Sequence, residues 1–150
     1  MQKRTWIQWA FAAALGLAAA APALAADTPS SVPGVKVVSA EEVKQMLDAG
    51  VPVIDTRVAA EYVEKTIKGA RSVPYKEKSA KEPGFDAAQD QFDLAKLPSD
   101  KSAPLVFFCN GGECWKSYKA SVVAHKAGYT KINWFRGGFP EWTSKGLPTQ

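Results

Sequence analysis

The sequence is poor in the residues that staple or metallate small proteins. It holds only two cysteines, Cys109 and Cys114, and a single histidine, His125, in 150 residues. A disulfide-dense scaffold needs more cysteines than this. A zinc centre needs three or four clustered ligands, so no metal site is expected, and no cofactor either. The Cys-x-x-Cys-His spacing that attaches haem is missing. No run of lysine or arginine marks a nucleic-acid surface, so no nucleic-acid partner is expected. Internal repeats and dividing linkers are also absent.

What is present begins with a leader pattern. Lys3 and Arg4 form a short positive region, Trp6 to Ala21 is almost wholly apolar, and Pro22 precedes Ala23-Leu24-Ala25, the small-x-small pattern that signal peptidase reads. The apolar core is shorter than the roughly 20 residues of a bilayer span. Residues 1–25 are therefore expected to be a cleavable signal peptide, with general secretion as the route because no twin arginine is present. The protein is then expected to be periplasmic or secreted, without stable membrane insertion after cleavage. Residues 26–34, with Asp27, Thr28, Pro29, Ser30 and Ser31, read as a flexible lead-in to a single domain over 35–149. Because the leader carries two cations and no acid, the net charge of +4 falls to +2 in the mature chain.

Strand and helix signals alternate along that chain, which predicts an α/β fold with a central, mainly parallel, five-stranded sheet and helices on both faces. Strands are expected at 35–38, 51–54, around 72–74, at 104–108 and at 132–135. Ser39 and Glu42 have the spacing of a capping box ahead of a helix that Gly50 ends. One or two helical turns are expected over 59–65, and a longer helix over 115–126 with Tyr118, Val122 and His125 on its inner face. A short helix with Pro140 and Trp142 closes the chain. Residues 76–103 read as a surface excursion with a helix somewhere in 86–96.

Cys109 follows Pro104-Leu105-Val106-Phe107-Phe108, the strongest strand in the chain. In open α/β sheets ligands gather beyond the carboxyl ends of strands. Asn110-Gly111-Gly112 lets the backbone curl tightly, and such a loop can aim several N–H groups at one point. The helix beginning at Trp115 adds its positive end. Both effects favour a thiolate, or a persulfide anion, at Cys109.

Three motifs carry a family resemblance. They are Ile54-Asp55-Thr56-Arg57 with Glu61-Tyr62 and Ile67 to Pro74, then Cys109-x-x-Gly112-x-Cys114-Trp115-Lys116-Ser117, then Arg136-Gly137-Gly138 with Trp142 and Gly146-Leu147-Pro148. Together they resemble the signatures of the rhodanese-like family, in an exported single-domain form. The resemblance implies a thiosulfate sulfurtransferase in which Cys109 takes sulfane sulfur from a small donor and passes it, as a persulfide, to a thiol or cyanide acceptor. It implies that the backbone N–H groups of Asn110, Gly111, Gly112, Glu113, Cys114 and Trp115 cradle the persulfide. Asp55 and Arg57 match a family pair that braces the loop or adds charge near it; a surface ion pair at a strand end is the competing reading. Phosphatases of this fold carry an arginine six residues after the cysteine, and Trp115 stands there. Rhodaneses often carry arginine where this chain has Cys114. Lys116 is the nearest cation left to steer an anion.

Cys114 leaves three readings open: a resolving cysteine that discharges the persulfide, half of a redox-protecting disulfide that a reductase must open in the oxidising periplasm, or a packing residue beside Trp115. The functional alternatives are accordingly a periplasmic thiol–disulfide redox protein using Cys109 and Cys114, and a non-catalytic persulfide carrier or binding module that serves one protein partner. A monomer is expected.

Overall fold

The computed structural model describes residues 26–150; the expected signal peptide, residues 1–25, lies outside them. The elements follow in the order β1 (Lys36–Val37), α1 (Ala40–Asp48), β2 (Val53–Asp55), α2 (Ala59–Glu64), β3 (Arg71–Ser72), β4 (Leu105–Phe108), α3 (Trp115–Lys126), β5 (Ile132–Phe135) and α4 (Gly138–Ser144). The five strands form one parallel sheet in the order β1-β5-β4-β2-β3.

The middle of that sheet is apolar on both faces, as a parallel sheet between helices requires. In β4 the side chains alternate. Val106 and Phe108 join Val43 of α1 and Trp142 of α4, whereas Leu105 and Phe107 join Ala120 and Ala124 of α3. The expected capping box starts α1: Ser39 Oγ accepts from Glu42 N–H at 3.2 Å, and Glu42 Oε2 accepts from Ser39 N–H at 2.8 Å. Gly50, at φ 85°, ends it.

Three expectations need correction. Residues 86–96 form no α-helix but two 3₁₀ turns, Ala87–Gln89 and Leu94–Lys96. Asp86 and Asp93 accept from the N–H two residues on, and such local bonds compete with helix propagation. The inner face of α3 is built from Ser117, Ala120, Ser121 and Ala124 besides Tyr118; Val122 is half-buried and His125 exposed. Small residues let this helix lie close to the sheet. Residues 26–34 are not a loose lead-in. Thr28 and Val32 are buried, and the Pro33-Gly34 turn is closed by Val35 N–H donating to Val32 O at 3.1 Å. Gly34 has φ 75°, and a Cβ there would collide with the His125 ring.

The excursion is anchored by buried polar contacts that sequence patterning does not show. Lys119, fully buried on α3, pairs with Glu77 at 2.9 Å and donates to Ser79 O and Oγ at 3.1 and 2.8 Å. Asp90 accepts from Tyr75 OH and from Ser79 N–H and Oγ. Burial pushes the Asp90 carboxyl up, but these bonds and the Lys78 N–H outweigh it and hold the group well below the usual carboxylate range.

Candidate active site

Cys109 stands one residue past β4, beyond the carboxyl edge of the sheet, and is 1 % exposed. Gly111, at φ 100°, turns the chain, and its carbonyl accepts from Cys114 N–H at 3.0 Å. Cys114 then occupies the N-cap position of α3 without a side-chain cap of its own. The Cys109 sulfur takes that place. Ser117 N–H, one of the unpaired donors of the first helical turn, points at Cys109 Sγ from 3.3 Å.

Ser117 Oγ lies 3.0 Å from the same sulfur. Trp134 of β5 donates its indole N–H to Ser117 Oγ at 2.9 Å. An indole nitrogen can only donate, so the serine oxygen accepts there and its proton remains free for the sulfur. Two donors and the positive end of α3 therefore meet at Cys109 Sγ and favour a negatively charged sulfur over a neutral thiol, opposed by the Cys114 carbonyl oxygen 3.3 Å away.

Cys109 and Cys114 are joined by a disulfide across a Cα separation of 6.2 Å. Its two halves are unequally exposed, with Cys109 buried and Cys114 half-buried. Backbone N–H groups of Asn110, Gly111, Gly112, Glu113 and Trp115 bond to no acceptor among the described residues, whereas that of Cys114 is spent on Gly111. The Asn110 side chain donates to Glu61 Oε1 at 2.6 Å and clips the loop to α2. Glu113 is exposed. Lys116 pairs with no carboxylate among the described residues and borders a cavity of about 310 Å³ with Val58, Pro74, Tyr75 and Glu77.

Asp55 and Arg57 are not a surface ion pair. Both are buried, and Asp55 accepts from Arg57 N–H, Nε and Nη2 and from Thr66 Oγ1. Arg57 also donates to Lys65 O at 2.7 Å and stacks on the Phe139 ring at 4.3 Å. Phe139 N–H in turn donates to Cys109 O at 2.8 Å. The pair thus braces the loop from below, and its charge is spent inside the protein. Gly138 makes the last contact feasible. It sits at φ 61°, and a Cβ there would collide with the Cys109 carbonyl and lie 2.7 Å from Gly111 N.

A buried cysteine held at a helix start beyond a parallel sheet, on this strand order, invites comparison with known proteins. The family model described as the rhodanese-like domain matches residues 39–145. The chain belongs to the rhodanese-like family. Thiosulfate sulfurtransferase 16, chloroplastic, from Arabidopsis thaliana is 28 % identical to this chain over 113 residues, 75 % of this chain and 91 % of the relative. The structure of a human single-domain sulfurtransferase shares 26 % identity at a TM-score of 0.52, covering 73 % of this chain and 96 % of the human one. The Alr3790 protein from Anabaena sp. has the same fold, with a TM-score of 0.56 at 22 % identity over 75 % of this chain and 90 % of its own. Membership places the protein among the rhodanese-like sulfurtransferases.

Three contributors to this site escaped the sequence reading: Ser117, Trp134 and Glu61. Ser117 and Glu61 stand inside recognised motifs, but nothing in their spacing announces which atom each touches. Trp134 reads as one more apolar residue in a buried strand.

Proposed function

We propose that this rhodanese transfers sulfane sulfur through a persulfide on Cys109. The observation that carries the reading is the pair of Ser117 donors on the Cys109 sulfur at the start of α3. The Cys109 thiolate attacks the outer sulfur of thiosulfate, the Cys109–S–S⁻ bond forms, and sulfite leaves. Cyanide or a thiol then takes the outer sulfur and returns the thiolate. The loop N–H groups left without acceptors supply donors for the persulfide anion. Thiosulfate as the donor class draws support from the name of the Arabidopsis relative.

The disulfide adds a preceding step to this reading. A thiol, from a small molecule or a protein reductase, attacks the more accessible Cys114 sulfur and expels Cys109 as a thiolate. A second thiol clears the mixed disulfide from Cys114 and leaves as a disulfide with the first. After sulfur loading, Cys114 can also attack the inner sulfur of the persulfide, release hydrosulfide and restore the bond. Export through the leader belongs to the same reading, because disulfides persist in oxidising compartments. Prereduced protein given thiosulfate and cyanide is expected to form thiocyanate catalytically, and Cys109→Ser is expected to abolish it. Absence of thiocyanate from protein with confirmed free thiols would overturn the assignment.

A further inference from the structure

The segment ahead of the family-matched residues 39–145 lies directly on the cysteine loop. Pro29 restricts Thr28 to extended backbone, and Thr28, 3 % exposed, turns two donors to one acceptor. Its N–H and its hydroxyl both bond Gly112 O, at 2.8 and 2.7 Å. Arg136, just past β5, holds the segment from the other side. Its Nε donates to Thr28 Oγ1 and Pro29 O, each at 3.1 Å, and its Nη2 donates to Thr28 O at 2.8 Å. Trp115 Nε1 donates to Ala26 O at 2.9 Å, and Val32 is buried with Trp115, Tyr118 and Trp134.

The guanidinium also packs on the loop itself. A Cβ on Gly112 would stand 3.2 Å from Arg136 Cζ, a tight contact that glycine avoids. Every bond Arg136 makes is to a neutral oxygen, and no carboxylate pairs with it among the described residues. Its charge is therefore not cancelled locally. Arginine stays protonated at any working pH, so this is a fixed positive charge against the loop.

We infer that Thr28 and Arg136 form a latch that positions the cysteine loop and stabilises a negative sulfur on Cys109. Arg136 supplies, from just past β5, the cation that is absent from the loop between Cys109 and Cys114. Thr28 fixes the Gly112 carbonyl and, through the planar peptide, the direction of the Glu113 N–H. Both are positioning residues, because neither touches the reacting sulfur. The inference deepens the proposed function and rests on that reading for its purpose, but its physical content is a property of the reduced thiol.

The test is the pH dependence of Cys109 alkylation by iodoacetamide in the full chain carrying Cys114→Ser, which leaves one thiol. Arg136→Gln is expected to move the midpoint upward by roughly half to one pH unit, a three- to tenfold loss of thiolate below the midpoint. Added salt should raise the midpoint in the parent and change it less in Arg136→Gln. Arg136→Lys should retain much of the shift by keeping the charge. Thr28→Val should raise the midpoint less than Arg136→Gln, and the double variant should fall short of the sum because the two side chains share one contact. Circular dichroism and melting identify variants that remain folded. Unchanged midpoints in folded Arg136→Gln and Thr28→Val would overturn the latch, and a midpoint moved equally by Arg136→Lys and Arg136→Gln would overturn the charge role. No sulfur transfer is needed for this readout, so a failed latch and a failed sulfurtransferase assignment give different results.

Discussion

Ser117 owes its value to a neighbour on another element. Trp134 occupies the serine oxygen from one side, which directs the hydroxyl proton to Cys109. Ser117→Ala removes a donor to the charged form of the sulfur, so the Cys109 thiol should titrate higher, by roughly one pH unit. Alkylation against pH in reduced protein measures it. Ser117→Thr, which keeps the hydroxyl, should restore most of the effect, and Trp134→Phe should show part of the loss. Cys109 itself was legible from the sequence because a buried strand, two glycines and a helix start stand side by side. Its donors were not, since Ser117 meets Trp134 only after β5 has been laid beside β4. Arg57 shows the same limit. Its motif was evident, but burial decided that its charge serves Asp55 and the Phe139 brace.

At the level of elements, strands and helices with strong periodicity were readable, and α3 and β5 begin and end where apolar spacing placed them. The excursion was not readable, because polar side chains hold it. Lys119 is an ordinary exposed residue by pattern, yet it lies fully buried against Glu77 and Ser79. Lys119→Met leaves Glu77 without its partner and should cost about 3 kcal/mol, read by denaturant unfolding. Asp90→Asn should cost roughly 1–2 kcal/mol at neutral pH through its lost charged hydrogen bonds. The Asp90 carboxyl titrates lower folded than unfolded, so its contribution is complete above about pH 4 and is lost as pH falls further toward the folded value. The stability difference between parent and Asp90→Asn should therefore be flat near neutrality and shrink in acid. A difference that grows on acidification would contradict this account of the excursion.

For the whole molecule, the disulfide and the fold are separable. Cys109 and Cys114 are five residues apart, and closing so short a loop contributes at most about 2 kcal/mol by the chain-entropy model. The core lies elsewhere, in the sheet faces under α1, α3 and α4. Reduced protein should accordingly remain folded, with a cooperative melt and a stability loss no larger than that. On the proposed mechanism the disulfide then governs chemistry more than architecture, since it occupies the sulfur that this mechanism needs free. In the proposed cycle the sulfur resides on Cys109. Mass spectrometry of prereduced protein incubated with thiosulfate tests it most directly, with the modified residue located by peptide mapping. One added sulfur atom on Cys109, removed by cyanide and retained in Cys114→Ser, is the expected result. An unmodified free thiol at Cys109, or sulfur found on Cys114 alone, would contradict it.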